Sequence, residues 1–370
     1  MILSAATTSA PILGPEIVRL IPRQVLDAFV QFPDVVMAFV SMGLAAFIIT
    51  LFWIVSGAMR AGGKARMALR AQALKRMKDH RASILIARID GGDGRLREEM
   101  KEAIEDNFGL FAFQSEVQVE PFPILLKVLP ETAHPERRRR VAVEATEALE
   151  SAAADVLIWG RRNWRGKLEL RLVTVPAYGR AHEVQSLTLG WKVGRPDESV
   201  QRALAYACAR KARPVMNKPQ DYKPERLQPI VEALERMVHS SPQDIGEELQ
   251  LDILNDFASG ALSLGERGGN VRWLHKALES RQQYLEKVDR STDPGAWGSA
   301  QQEIGRALAA LGEREGARDK LEESVARLKL AIDALRATDS LQNAEVALRA
   351  LQRAETTLAQ RRRIGLRWPV

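Results

Sequence analysis

No charged residue interrupts the chain from Val35 to Met59, and its centre, Leu44 to Val55, is strongly apolar. At about 1.5 Å of rise per residue, a helix of that length crosses a ~30 Å hydrocarbon core with some tilt. The pattern therefore predicts a transmembrane helix over 35–59. The other reading, a buried helix of a soluble protein, usually gives a shorter run with a polar face. A cleaved signal peptide would need a basic start near Met1 and a short apolar stretch, whereas this run begins late and extends far. Beyond it, Met67, Leu69, Leu74 and Met77 sit among charges and predict a basic helical stem over 60–82.

The next region alternates between two periods. Ser83 to Ile89 is a compact apolar run typical of a buried strand, and it ends in the turn Asp90-Gly91-Gly92-Asp93-Gly94. Leu96, Met100, Ala103 and Ile104 share one helical face. Phe111 to Glu120 alternates as a second strand, stopped by Pro121 and Pro123. A helix is predicted from Pro135 to about Ala153, a strand over Ala154–Gly160, a hairpin partner over Lys167–Val175 and a fifth strand over Glu183–Trp191. This order predicts an α/β domain over 83–213 with a partly parallel sheet.

The last third is helical and repetitive. A polar, Pro-bearing stretch opens the linker and helix assigned to 214–241. Ala261-Leu262-Ser263-Leu264-Gly265-Glu266-Arg267 returns as Leu308-Ala309-Ala310-Leu311-Gly312-Glu313-Arg314, 47 residues on (265 to 312). The stripes agree at that offset: Ile253, Phe257, Ala261 and Leu264 match Ala300, Ile304, Leu308 and Leu311. In the following helix, Leu274, Leu278, Leu285 and Val288 match Leu321, Val325, Ile332 and Leu335. A third copy begins near Leu341, keeps Ala347, Leu351 and Leu358, and fades as a terminal cap would. A helix pair per copy predicts an α-solenoid over 242–370.

Pro294, Trp297, Gln301, Ile304, Gly305, Ala307, Leu308, Leu311, Gly312, Glu313 and Arg314 resemble a long-period bacterial tetratricopeptide-type repeat. The copy at 253–267 keeps only the L-G-E-R end, and Glu303 stands where that pattern has Asn, so the role of that Asn is not carried over. The resemblance implies protein–protein scaffolding. Ala154–Gly160 followed by Gly166–Leu172 is similar to the end of a TolB N-terminal-type α/β domain, by pattern more than by motif. It implies a binding or assembly module.

Charge adds an orientation. The net charge is +7, with basic residues dense between Arg60 and Arg81, whereas Arg19 and Arg23 are offset by Glu16, Asp27 and Asp34. Basic flanks stay cytoplasmic. The expectation is thus a single-pass bacterial inner-membrane protein with a short extracytoplasmic segment (1–34) and cytoplasmic domains. Ile17 to Val30 reads equally as an interfacial segment or a frayed leader. The basic stem suits anionic head groups, which makes the bilayer a partner. Ser41 and Ala45, small residues four apart, allow a homo-oligomer. Cys208 is the only cysteine, which fits a reducing compartment.

Candidate chemistry is sparse. In the turn, Gly92 and Asp93 precede a helix N-terminus whose free N–H groups could cradle an anion. The Walker lysine and the dinucleotide fingerprint are missing, however, and Asp93 also reads as a helix N-cap. Arg137 and Arg138 lie at a helix start, where positive charge is unfavourable unless an anion compensates. Arg161, Arg162, Trp164 and Arg165 form a basic-aromatic hairpin tip. Each cluster also reads as an ordinary solvated surface, and neither has the aromatic interleaving of a single-strand nucleic-acid platform, so no nucleic acid is expected. The five histidines are scattered and Cys208 has no partner, so neither metal nor cofactor is expected and no catalytic constellation is assigned. The reading is a membrane-anchored scaffold that binds a cytoplasmic protein through its repeats. The alternative is a tethered sensor whose α/β domain binds a small anion or nucleotide at the turn.

Overall fold

In the computed structural model, the described residues are 33–77, 81–130, 132–175, 184–240 and 244–365, and the surroundings of 33–40, 54–66, 77 and 362–365 are not part of the description. The extracytoplasmic segment expected over 1–34 therefore lies almost wholly outside the described residues. The first helix, α1, runs Pro33–Met77. Its residues up to Arg66 belong to one compact unit, and those from Met67 belong to a second with the rest of the chain.

The first unit corrects the sequence reading. Among the described residues, no helix is long and apolar enough to cross a membrane. The part of the expected span whose surroundings are described, residues 41–53, is exposed throughout, with Phe47 and Trp53 among its most exposed side chains. The helix then continues into the basic sequence ending at Lys75 and Arg76. The transmembrane helix over 35–59 is thus overturned, and with it the single-pass inner-membrane placement.

In the second unit, five strands form one sheet: β1 (Ala82–Ile86), β2 (Val117–Pro121), β3 (Val156–Arg162), β4 (Lys167–Thr174) and β5 (Val184–Gly190). Their spatial order is β2-β1-β3-β4-β5. β1 is parallel to β2 and β3, while β3-β4-β5 run antiparallel. The parallel pairs require crossovers, supplied by α2 (Gly94–Phe111) and α3 (Pro135–Ser151). Alternation of side chains along a strand divides the apolar residues between two layers. Ile84, Ile86, Val156 and Ile158 face α2 and α4 (Glu198–Ala212). Leu85, Ala87, Leu157 and Trp159 face α3 and the end of α1, where Ala71 and Leu74 are buried. The partly parallel sheet expected from the element order is what forms.

The remainder is helical: α5 (Pro224–Ser240), α6 (Glu247–Gly268), α7 (Val271–Lys287), α8 (Pro294–Glu315), α9 (Arg318–Ala337) and α10 (Leu341–Gly365). α6, α8 and α10 begin at 247, 294 and 341, a constant spacing of 47. The turn inside each helix pair is closed by a left-handed glycine, Gly269 with φ 74° and Gly316 with φ 75°, as a helix C-cap requires.

The sheet and the helices share a core that runs from Ala82 to Leu311. The entry to α6 is laid along the edge strand: Gly190 N donates to the Asp244 carbonyl at 2.6 Å and Gly246 N to that of Thr188 at 2.8 Å. Arg210 on α4 reaches Asp252 at 2.8 Å and Asp256 at 3.1 Å on α6, and the Tyr206 hydroxyl donates to Asp256 at 2.8 Å.

Candidate functional site

The turn and the hairpin tip, far apart in sequence, meet at the carboxyl ends of β1 and β3. Asp90 N donates to the Gly160 carbonyl at 2.9 Å, and Arg162 N donates to that of Asp90 at 2.8 Å. Asp93 caps α2, its Oδ1 accepting from Leu96 N at 2.9 Å. A Cβ on Gly92 would come within 2.8 Å of Leu96 Cδ2, and one on Gly91 within 2.9 Å of the Arg162 carbonyl oxygen. The glycines are therefore used for close packing of the turn. Arg161 pairs with Glu169 at 2.8 Å, and Arg162 Nε is buried without a hydrogen-bond partner. Trp164 is 87% exposed, with the Arg165 guanidinium 4.5 Å from its ring centroid. Arg137 and Arg138 are exposed in the first turn of α3.

An open concavity lies on the helical repeats. One face of α6, α8 and α10 borders a groove of about 530 Å³ whose floor holds Ala309, Ala310 and Ala350. Small residues on this face leave room that larger ones would fill. Five arginines line it against two glutamates, so its field is positive. Arg306 is held in a fork by Glu266, with Nε–Oε1 at 3.0 Å. Burial works against its charge, and the carboxylate more than offsets it, so its pKa is raised. Arg267 and Arg314 are turned onto backbone carbonyls. Arg349 and Arg353, one turn apart on α10, remain exposed. Arg349 makes one exposed contact, 3.7 Å to Glu345.

The first two copies meet their own acids internally. Asp256 takes Arg210 from α4. Glu303, its counterpart one copy on, takes Arg281 from α7 at 2.6 Å, with that arginine 4% exposed. Arg281 also donates to Asn255 and Ser259. Residue 303, where the tetratricopeptide-type pattern has Asn, thus holds adjacent copies together.

The sequence reading singled out Arg267 and Arg314 as part of the repeated L-G-E-R end, but it did not reach Arg306, Arg349 or Arg353. Their signal was the same 47-residue offset applied to polar positions, since Arg306 and Arg353 are one period apart, as are Arg314 and Arg361. A second cleft of about 580 Å³ lies between α5 and α7 beside Trp273. There Lys276 is engaged by Glu235 and by the Trp273 ring. Comparison with protein-family models, curated proteins and solved structures finds no match to this chain.

Proposed function

We propose that this chain is a non-catalytic binding module whose tetratricopeptide-like helix pairs hold a partner protein in the groove along α6, α8 and α10. One observation carries the reading. The first helices of three successive copies line a single open groove with an alanine floor and a positive wall, the form in which stacked repeats offer a continuous binding surface. The α/β layer anchors the array: edge-strand hydrogen bonds and the Arg210 pairs fix the first repeat helix to the sheet.

Blocking the groove tests this. Full-length chain and two filled variants, Val346→Trp and Ala350→Trp, are immobilised and used to capture proteins from extracts of the source cells. Each variant is first checked for an unchanged melting profile. A partner retained by the parent and lost from both variants is the expected result. The same proteins on all three would move binding away from the groove.

A further inference from the structure

The three copies do not carry the same charges at three equivalent positions of their first helices, where only Arg306, Arg349, Ala350 and Arg353 line the groove. Asn255, Gln302 and Arg349 occupy one equivalent position in the three copies, and Ser259, Arg306 and Arg353 occupy another. At a third, Asp256 and Glu303 are each neutralised by an internal arginine, and the last copy has Ala350. Leu328 stands where α7 has Arg281. The third copy therefore presents two positive charges more than the first and one more than the second, with no acid at the neighbouring concave position. Arg349 has only its long contact to Glu345, with both side chains about two-thirds exposed (67% and 66%), a kind of pair that contributes little. Arg353 makes no ion pair among the described residues. Charges that held the copies together would be buried and paired, as Arg281 is.

Spacing indicates what would pair them. Side chains four apart on a helix stand about 5–6 Å apart at their Cβ atoms. In an extended chain, alternate residues point to the same side about 6.6–6.8 Å apart. Two carboxylates at alternate positions of an extended segment therefore match Arg349 and Arg353, and the intervening backbone lies over the alanine floor. Guanidinium forks suit carboxylates. Nucleic acid fits less well: Glu266 and Glu313 stand in the wall, and no aromatic lines the groove for base stacking.

We propose that the groove takes an extended acidic segment of a partner protein, with Arg349 and Arg353 reading carboxylates at alternate positions. This rests on the groove being the partner-binding face. The probe is a short fluorescein-labelled peptide of alternating Glu and Ala, titrated into the full-length chain by anisotropy. Its Gln/Ala counterpart and a single-stranded oligonucleotide serve as competitors. Binding that weakens with salt, falls at least about tenfold in R349E/R353E, and is lost in Ala350→Trp is the expected result. Both charge-reversed sites are exposed, so folding is retained. If Ala350→Trp abolishes capture while R349E/R353E changes neither capture nor peptide affinity, the groove stands and the acidic partner falls. If neither variant changes anything, both readings fall. An oligonucleotide that outcompetes the peptide and loses affinity in R349E/R353E would overturn the protein-segment assignment.

Discussion

Arg314 donates from Nη1 to the carbonyl oxygen of Gly265 at 2.7 Å, and from Nη2 to that of Glu266 at 3.0 Å. Both carbonyls lie in the last turn of α6, where helix carbonyls lack intrahelical partners and the dipole favours a cation. One period later Arg361 donates to the Glu313 carbonyl at 2.7 Å, near the end of α8. One period earlier Arg267 reaches the carbonyls of Gln220 and Tyr222. The arginine of each L-G-E-R end thus caps the element before it. This gives the recurring motif a structural reason, with Leu358 and Arg361 as its remnant in the last copy.

Removing the middle cap should loosen the stack locally. Arg314→Ala is expected to cost about 1–2 kcal/mol, the range for charge-assisted hydrogen bonds at a partly exposed site, and to speed amide exchange at the end of α6. Arg361→Ala should affect only the end of α8 and α10, since repeats couple chiefly to their neighbours. Hydrogen exchange read by mass spectrometry on both variants checks this. Unchanged exchange around residues 265–268 in Arg314→Ala would refute the capping role.

Gly265 and Gly312 should resist substitution although both are inside helices. A Cβ would come 2.6 Å from Leu274 Cδ2 at the first and 2.7 Å from Leu321 Cγ at the second. Alanine gains up to about 1 kcal/mol of helix propensity, whereas overpacking costs about 1–3 kcal/mol. The net sign is destabilising for Gly265→Ala and Gly312→Ala. Gly268, with nothing within 4 Å of an added Cβ, should tolerate alanine or gain a few tenths of a kcal/mol. Thermal melts of the three variants decide. A stabilised Gly265→Ala would mean that the helices do not approach this closely.

How much was legible follows from how local each signal is. Strand and helix periods gave the sheet because Ile84/Ile86 and Leu85/Ala87 alternate within a few residues of one another, and the L-G-E-R repetition located the helix pairs. The Asp93 cap was readable from its place before an apolar stripe. The junction was not: Arg210 meets Asp252 and Asp256, and Gln185 meets Asp252 at 2.8 Å, pairs more than forty residues apart with no common pattern. Arg306, Arg349 and Arg353 were missed because, outside the L-G-E-R end, only apolar positions were compared between copies. The apolar run before Met59 misled for a different reason: it was read from hydropathy alone, and among the described residues no helix is long and apolar enough to cross a membrane.

Asp252 should make the junction sensitive to pH. Burial pushes its carboxyl up to about 6 from 3.8, Asp256 adds to the rise, and Arg210 opposes it. The folded protein then holds a proton that the unfolded chain releases between those values. The group's favourable contribution is present below about pH 4 and is lost as pH rises through about 6. Asp252→Asn removes the titration while leaving an oxygen to accept from Gln185. Relative to this variant, the parent should lose on the order of 2–3 kcal/mol between about pH 4 and about pH 7. Urea unfolding of both proteins across that range measures the difference directly. A difference that stays constant with pH would show that Arg210 keeps Asp252 ionised throughout. The joint between sheet and repeats would then be a permanent ion pair rather than a titrating one.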